Sequence, residues 1–372
     1  MQKMTIVFPG SFMNYREIDP DMYEEYLAVM ETGLFDILLF NFDEWLAGDK
    51  FRITGTENSP SKAIYRGWML KPEKYDELYK TLHDRGVLLI TDPDAYRNTH
   101  LFPNVYPHIR DDTAEMMLFA NGKVDVEKAK KRFRLFMVKD SVKSVKGTEF
   151  PAYFDHTISQ AKFDEWMKVF YKYRGDLLTG DICIKEYLDL KRYNGITNEF
   201  RVFYADHEIV SICRNSNQPA YTAELPRKLV ERYKDLESPY YTVDYAELAD
   251  GTWKIIEAGD GGVSGLSPGQ NLEAYYRALY NALKRVDEQA RFIEQKVEKM
   301  EKRCRCINPP NNTPFVKNGV YKWVYIIDGY AAVHESGIMW GEGEINFLKH
   351  FQIVSGKWSD INSDWMQKAR GL

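Results

Sequence analysis

The sequence predicts a protein of mixed α/β and α+β class in three parts. These are an N-terminal α/β domain over residues 1–110, an α+β domain over 111–303 that ends in a long helix, and a small β-rich domain over 304–372. Three observations carry this. Up to about Ile109, short apolar runs alternate with helix-length amphipathic stretches, the pattern of a mainly parallel sheet. From Arg110 onward, strand-like runs follow one another closely with turn residues between them. "INPPNNTP" then breaks the chain before a last group of short strands.

In the first part, "TIVFPG", "FDILLFN" and "GVLLITD" read as buried strands, and "DPDMYEEYLAVMETG" and "KPEKYDELYKTLHDRG" as the helices between them. "RNTHLFPNVYPHI" is rich in proline and aromatics and reads as a connection, with His100 and His108 as structural residues. Beyond it, "RLFMVKDSVKS" is a strand with a polar exit and "TISQAKFDEWMKVFYKYRG" an amphipathic helix. "DICIKEYLDL", "EFRVFYADHEIVSICR", "YYTVDYAEL" and "TWKIIEA" form an antiparallel set. A helix of alternating charge, partly exposed, follows from about Gln270 to Arg303. In the last part, Asp328-Gly329 signals a hairpin.

With 372 residues and 44% hydrophobic content, the chain has apolar material for more than one core. A formal net charge of −5 gives no support to general nucleic-acid binding. The densest basic run, "KAKKRFR" (Lys128 to Arg134), reads as a solvated helix face. Cys183 and Cys213 sit in apolar runs as small core residues, and "CRC" lacks a second ligand pair at zinc spacing. This usage suits a reduced, cytoplasmic setting. The N-terminus reads as a strand and turn rather than a signal peptide, and no apolar stretch is long enough to span a bilayer. The phosphate loop of nucleotide hydrolases, the kinase signature, the serine nucleophile elbow and the dinucleotide glycine fingerprint are all missing.

Chemistry concentrates around "ADGT". Asp250-Gly251 favours a two-residue hairpin turn, which opposes Asp244 to Glu257, Tyr245 to Ile256 and Glu247 to Lys254. Two carboxylates directly opposite repel, so a cation between them is expected, and Mg²⁺ is the hard, oxygen-seeking candidate. Asp260, just past the strand, reaches the same place, and the glycines after it would let the backbone pass close to phosphates. The alternative is a pair of exposed acids on a solvated sheet. Phosphates also need cations. Lys139 ends one apolar strand with Lys143 four residues on, Lys185 and Glu186 end another, and Arg201 lies inside a third on the same face as Glu199. A cation on an apolar strand is unfavourable unless paired or liganded. Each could pair locally; together they point to one site.

The stretches "YRGWMLKPEKYDELY", "FMVKDSVKS", "GDICIKEYLDL", "NEFRVFYADHEIV" and "YTVDYAELADGTWKIIEAGDGGVSGL" resemble, in order, the ATP-grasp fold. More narrowly they resemble its divergent "R-two-K" clade, which has phage and bacterial members and a eukaryotic cell-division-cycle relative that helps assemble an initiation factor. The resemblance covers about Ile64 to Leu266 and implies two lobes holding ATP between them, preceded by a pre-ATP-grasp domain. It implies ATP and Mg²⁺ as cofactors, with Mn²⁺ as the substitute ion. Lys139 then contacts the α/β-phosphates and Lys143 is a second phosphate contact. Glu186, Tyr187 and Leu188 form the adenine hinge, beside Lys185. Arg201 meets the γ-phosphate. Asp244, Glu257 and Asp260 ligate the metal. Many family members carry Glu-x-Asn in the last motif, where this chain has Gly259 followed by Asp260. Arg66 in "YRGWML" is the residue expected to face the cleft and bind the acceptor, with surface or core pairing as its alternative.

The implied activity is ligation: a substrate carboxylate attacks the γ-phosphorus, and an amine or other nucleophile then displaces phosphate from the acylphosphate. Positioning and charge stabilisation would carry it, which agrees with the missing nucleophile patterns. Two further readings stand beside it. One is an ATP-binding assembly chaperone or partner-binding protein with little turnover. The other is an ATP-dependent enzyme acting on nucleic acid, with the Lys128 to Arg134 run and the C-terminal β-rich domain holding the polymer.

Overall fold

The computed structural model describes residues 4–55, 61–214, 217–219, 221–284, 303–311, 313–326, 330–335 and 338–355. The chain divides into two compact units, Met1–Lys284 and Arg285–Leu372.

In the first unit, β1 (Met4–Pro9), β2 (Phe35–Phe40), β3 (Ser61–Tyr65) and β4 (Val87–Leu89) form a parallel sheet in the order β2-β1-β3-β4. Both faces are covered, as a parallel sheet requires. Ile6, Phe8 and Ile64 meet Val29 of α1 (Tyr23–Thr32), while Val7, Ala63 and Tyr65 meet Trp45 of α2 (Phe42–Leu46) and Leu78 and Leu82 of α3 (Pro72–His83). β3 falls in "SKAIY", too short and mixed to stand out by pattern.

The stretch expected as a connection is instead two helices, α4 (Pro93–His100) and α5 (Phe102–Ile109). Pro93 and Pro103 sit in their first turns, where the missing N–H has no intrahelical partner to lose. Pro107, inside α5, is the exception that disguises the segment.

The set of strands expected to be one sheet divides into two. β5 (Met116–Phe119), β6 (Leu135–Lys139), β7 (Phe154–Asp155) and β8 (Ile182–Glu186) pair in the order β5-β8-β6-β7. Their apolar face rests on α6 (Val126–Arg132) and α7 (Gln160–Arg174). On α6, Lys128, Lys130 and Arg132 pair with Asp125, Glu127 and Glu115, the solvated basic face expected. After a short ribbon of β9 (Arg192–Tyr193) and β10 (Ile196–Thr197) come β11 (Glu199–Ala205), β12 (Glu208–Arg214), β13 (Tyr240–Glu247) and β14 (Trp253–Asp260), ordered β12-β11-β13-β14. Tyr204, Val243, Tyr245 and Ile255 pack there against α5 and α8 (Arg227–Arg232). The closing helix, α9, is described over 272–284; the rest of the expected long helix lies outside the described residues.

The second unit is a five-stranded antiparallel sheet of β15 (Arg303–Cys306), β16 (Val320–Ile326), β17 (Tyr330–Glu335), β18 (Ile338–Gly343) and β19 (Phe351–Ser355), with α10 (Glu344–His350). Cys304 and Cys306 are both buried with Phe315, Phe347 and Phe351. Burial pushes the Cys304 thiol up to about 12, the state of an inert core cysteine. The expected Asp328-Gly329 turn lies outside the described residues.

Candidate functional site

Strand alternation creates the first wall of the site. Phe136, Val138, Ile182 and Ile184 point into the α7 side, so Lys139 and Lys185 point the other way. Both lysines are buried, at 5% and 4% exposure. Lys139 Nζ lies 4.7 Å and Lys185 Nζ 3.8 Å from the centre of the Phe102 ring, so both cations contact one aromatic ring. Lys185 also donates to the Ile256 carbonyl at 3.0 Å. Burial pushes its ammonium down to about 7, reinforced by the neighbouring Lys139 charge.

The second wall is the β13–β14 hairpin. Asp244 opposes Glu257, as the turn rule predicts, but two irregularities produce that register. The loop is one residue longer than a two-residue turn: the Leu248 and Gly251 N–H groups bond to Thr252 O and Leu248 O, with Gly251 at φ 85°. Near the turn, therefore, Tyr245 opposes Ile255 and Glu247 opposes Trp253, not Ile256 and Lys254. A bulge between Asp244 and Tyr245 then shifts the pairing back by one residue. Glu247 is bound instead by Lys191, Tyr193 and Asn198, and Lys254 donates to the Asp111 carbonyl.

Two cations of the protein itself stand at these carboxylates. Arg201 on β11 directly opposes Asp244 and grips it with two bonds, Nε at 2.8 Å and Nη2 at 2.6 Å. Lys139 Nζ stands 3.5 Å from Glu257 Oε1. Burial raises the Glu257 carboxyl, but Lys139, Lys143, Lys185 and Arg201 outweigh it and hold the group down at about 2. Its side chain opens onto the cleft, 36% exposed.

Asp260 is 1% exposed. Its Oδ1 accepts the Gly262 N–H at 2.8 Å, and its Oδ2 has no hydrogen-bond partner. Burial pushes this carboxyl up to about 7. The glycines after it serve close packing: a Cβ on Gly261 would meet the Tyr240 ring at 2.7 Å, and one on Gly262 the Tyr65 carbonyl oxygen at 2.6 Å. Two arginines stitch this loop in place. Arg201 donates to Gly265 O at 2.9 Å, and Arg66 to Gly261 O and Ser264 O. Arg66, expected at the cleft, is 2% exposed and spends its remaining donors on Glu25. Glu25 in turn accepts from Tyr276 of α9. Arg66 thus joins α1, β3, the glycine loop and α9.

These walls enclose a cleft of about 440 Å³ lined by Lys139, Lys143, Lys185, Glu186, Leu188 and Glu257 among others. That is the size of a small-molecule site, ~300–1,000 Å³. It shares Lys143 and Glu257 with a narrower recess of about 90 Å³ that holds Arg201, Asp244 and Asp260. Where β8 ends, the Glu186 and Tyr187 N–H groups bond to Glu115 O and Leu135 O. Leu188, next along the chain, lines the cleft, and these two contacts do not use its amide. The Tyr187 ring lies edge-to-face on Tyr153 at 4.6 Å.

Sequence reasoning missed Phe102 and read His100 as structural; both lie in the stretch taken for a connection. His100 stacks on Tyr96 and lines the recess. Burial, aided by Lys143, pushes its imidazole down to about 3, so it stays neutral in the fold. Because the unfolded chain would protonate it near 6.5, the stability it permits is full above that pH and is lost as pH falls toward 3. Relative to His100→Gln, the wild type should lose up to ~1.4 kcal/mol per pH unit between about pH 6 and 4. Thermal unfolding of both proteins across this range measures it; parallel curves would refute a neutral buried histidine.

The donor set suits a hard cation: Asp244, Glu257 and the unpartnered oxygen of Asp260 line one recess. Among the described residues, however, no three such groups stand in a ligating arrangement, and Arg201 occupies both oxygens of Asp244. Nor, among those residues, is any helix long and apolar enough to cross a membrane.

Residues 129–279 match the model of the ATP-grasp domain, R-two-K clade family 3. The D-alanine-D-alanine ligase from Coxiella burnetii superposes with a TM-score of 0.51 at 10% identity, over 80% of this chain and 99% of that one. D-alanyl-alanine synthetase A from Vibrio cholerae O1 biovar eltor str. N16961 follows with a TM-score of 0.47 at 11% identity, over 77% and 100%. The ATP-grasp ligase PsnB, complexed with minimal precursor, gives 0.48 at 11% identity, over 76% and 100%. No curated protein sequence matches the chain. The fold is an ATP-grasp fold, shared with ligases.

Proposed function

We propose that the cleft binds ATP and that the protein is an ATP-dependent ligase, activating a substrate carboxylate as an acylphosphate for attack by an amine or other nucleophile. The observation that carries this is the gathering of Lys139, Lys143 and Lys185 with Glu257 in a cleft of small-molecule size, and of Arg201 with Lys143 and Glu257 in the recess that adjoins it. With Arg201 paired to Asp244 and Lys139 facing Glu257, Lys143 and the partly charged Lys185 leave positive charge that phosphates would neutralise. On this reading adenine lies toward Glu186, Tyr187 and Leu188. Lys139 and Lys143 meet the phosphates, with Lys185 beside them, and Arg201 stands at the γ-phosphate end. Asp244, Glu257 and Asp260 would hold magnesium, or manganese in its place. That ion supplies charge neutralisation at the transferring phosphoryl group.

No side chain needs to form a covalent bond. The carboxylate oxygen bonds to phosphorus while the bond to ADP breaks; the nucleophile then bonds to the acyl carbon and phosphate leaves. Lys139 and Arg201 orient and neutralise, and the walls limit water.

The test is a thermal-shift titration with ATP and magnesium. At a ligand concentration a hundredfold above Kd the wild type gains ~2.7 kcal/mol. Asp244→Asn should lose most of that gain. Absence of any shift in the wild type sinks the nucleotide site. A shift without ADP formation on any carboxylate favours an ATP-binding assembly protein instead.

A further inference from the structure

Lys143 is the one lysine shared by the cleft and the recess, and it stands on a turn rather than a strand. Something must hold that turn. The residue at its start is Asp140, which is fully buried. Asp140 Oδ1 accepts the N–H groups of Val142 and Lys143, both at 2.7 Å. Oδ2 accepts Arg174 Nε at 2.7 Å and the Thr179 N–H at 3.1 Å. The Asp140 N–H donates back to Lys143 O at 2.9 Å, closing the turn, and Lys139 bridges to Ser144. One carboxylate therefore ties the backbone of Lys143 to the C-terminal end of α7 and to the segment entering β8.

A turn of this kind needs only the Oδ1 half of the contact; side-chain acceptance from the next two or three N–H groups is what Asp does locally. The Oδ2 half is a long-range contact, a buried ion pair with a guanidinium 12% exposed. Removing a charge from water in this way is unfavourable unless the geometry is complete, so this half does more than shape a turn. We infer that Asp140, braced by Arg174, is a positioning residue that sets Lys143 between the two pockets for phosphate contact. The inference rests on the nucleotide reading of the cleft. Asp140 touches neither pocket; it acts through Lys143.

The experiment is a double-mutant cycle on the full chain. The affinity for the β,γ-imido analogue of ATP with magnesium is measured by calorimetry for wild type, Asp140→Asn, Lys143→Ala and the double variant. Asp140→Asn and Lys143→Ala should each weaken binding by about tenfold, and the double variant should be no weaker than Lys143→Ala. A merely structural Asp140 would weaken binding in both backgrounds alike, to about a hundredfold in the double variant, and that additivity would overturn the inference. Wild-type affinity in Asp140→Asn would overturn it too. Should Asp140→Asn fail to fold, Arg174→Gln replaces it in the same cycle, because it leaves the local turn in place. If the wild type itself does not bind the analogue, the nucleotide reading falls and this inference with it. If it binds and the cycle is additive, only this inference falls.

Discussion

Arg66→Ala is expected to destabilise the first unit by about 3–5 kcal/mol, the range for removing one partner of a buried, hydrogen-bonded ion pair. The side chain is 2% exposed and all its donors are used inside the protein. Its loss would leave Glu25 without its guanidinium and the carbonyls of Gly261 and Ser264 without donors. Arg66→Lys should recover little, because a single ammonium cannot replace a planar fork that serves a carboxylate and two carbonyls at once. Denaturant unfolding of the full chain measures the loss. A variant with wild-type stability that instead needs more acceptor substrate would return Arg66 to the acceptor site.

Arg201→Ala is expected to cut ADP formation by about 10³-fold, the lower end of what an arginine at a transferring phosphoryl group contributes. Arg201 also has a partner to abandon: it holds both oxygens of Asp244 and the Gly265 carbonyl. Burial already raises the Asp244 carboxyl above its ordinary value, with the Arg201 contact opposing that rise. The variant should therefore lose stability as well as turnover. The two effects separate by experiment, because the nucleotide-induced thermal shift should persist in part, through Lys139 and Lys143, while turnover collapses. Turnover within tenfold of wild type would remove Arg201 from the phosphoryl site.

Much of this site was legible along the chain because strand periodicity is local. The side-chain period of two is enough to place Lys139 and Lys185 opposite the Phe136 and Ile184 face. Asp250-Gly251 is enough to announce the hairpin. The opposition of Asp244 and Glu257 is real, yet it comes from a longer turn and a bulge that compensate each other. The expectation of a cation near them rests on like-charge repulsion, which one hairpin shows, but pairwise reasoning along that hairpin has no access to the side chains that other strands bring there. Arg201 on β11 pairs with Asp244, and Lys139 on β6 stands at Glu257.

The sequence by itself determined the alternating strands and helices, the order of the charged strand ends and the position of the hairpin. Each depends on a few neighbouring residues. Only the tertiary structure decided what those charges meet. It turned a proline-rich stretch into two helices that set Phe102 beneath two lysines and His100 at the recess. It also withdrew Arg66 from the cleft to brace the glycine loop. The physical reason is that a buried charge must be satisfied by whatever group the fold brings within about 3 Å. Here those groups come from far along the chain, with Arg66 bonded to Gly261 and Lys139 facing Glu257.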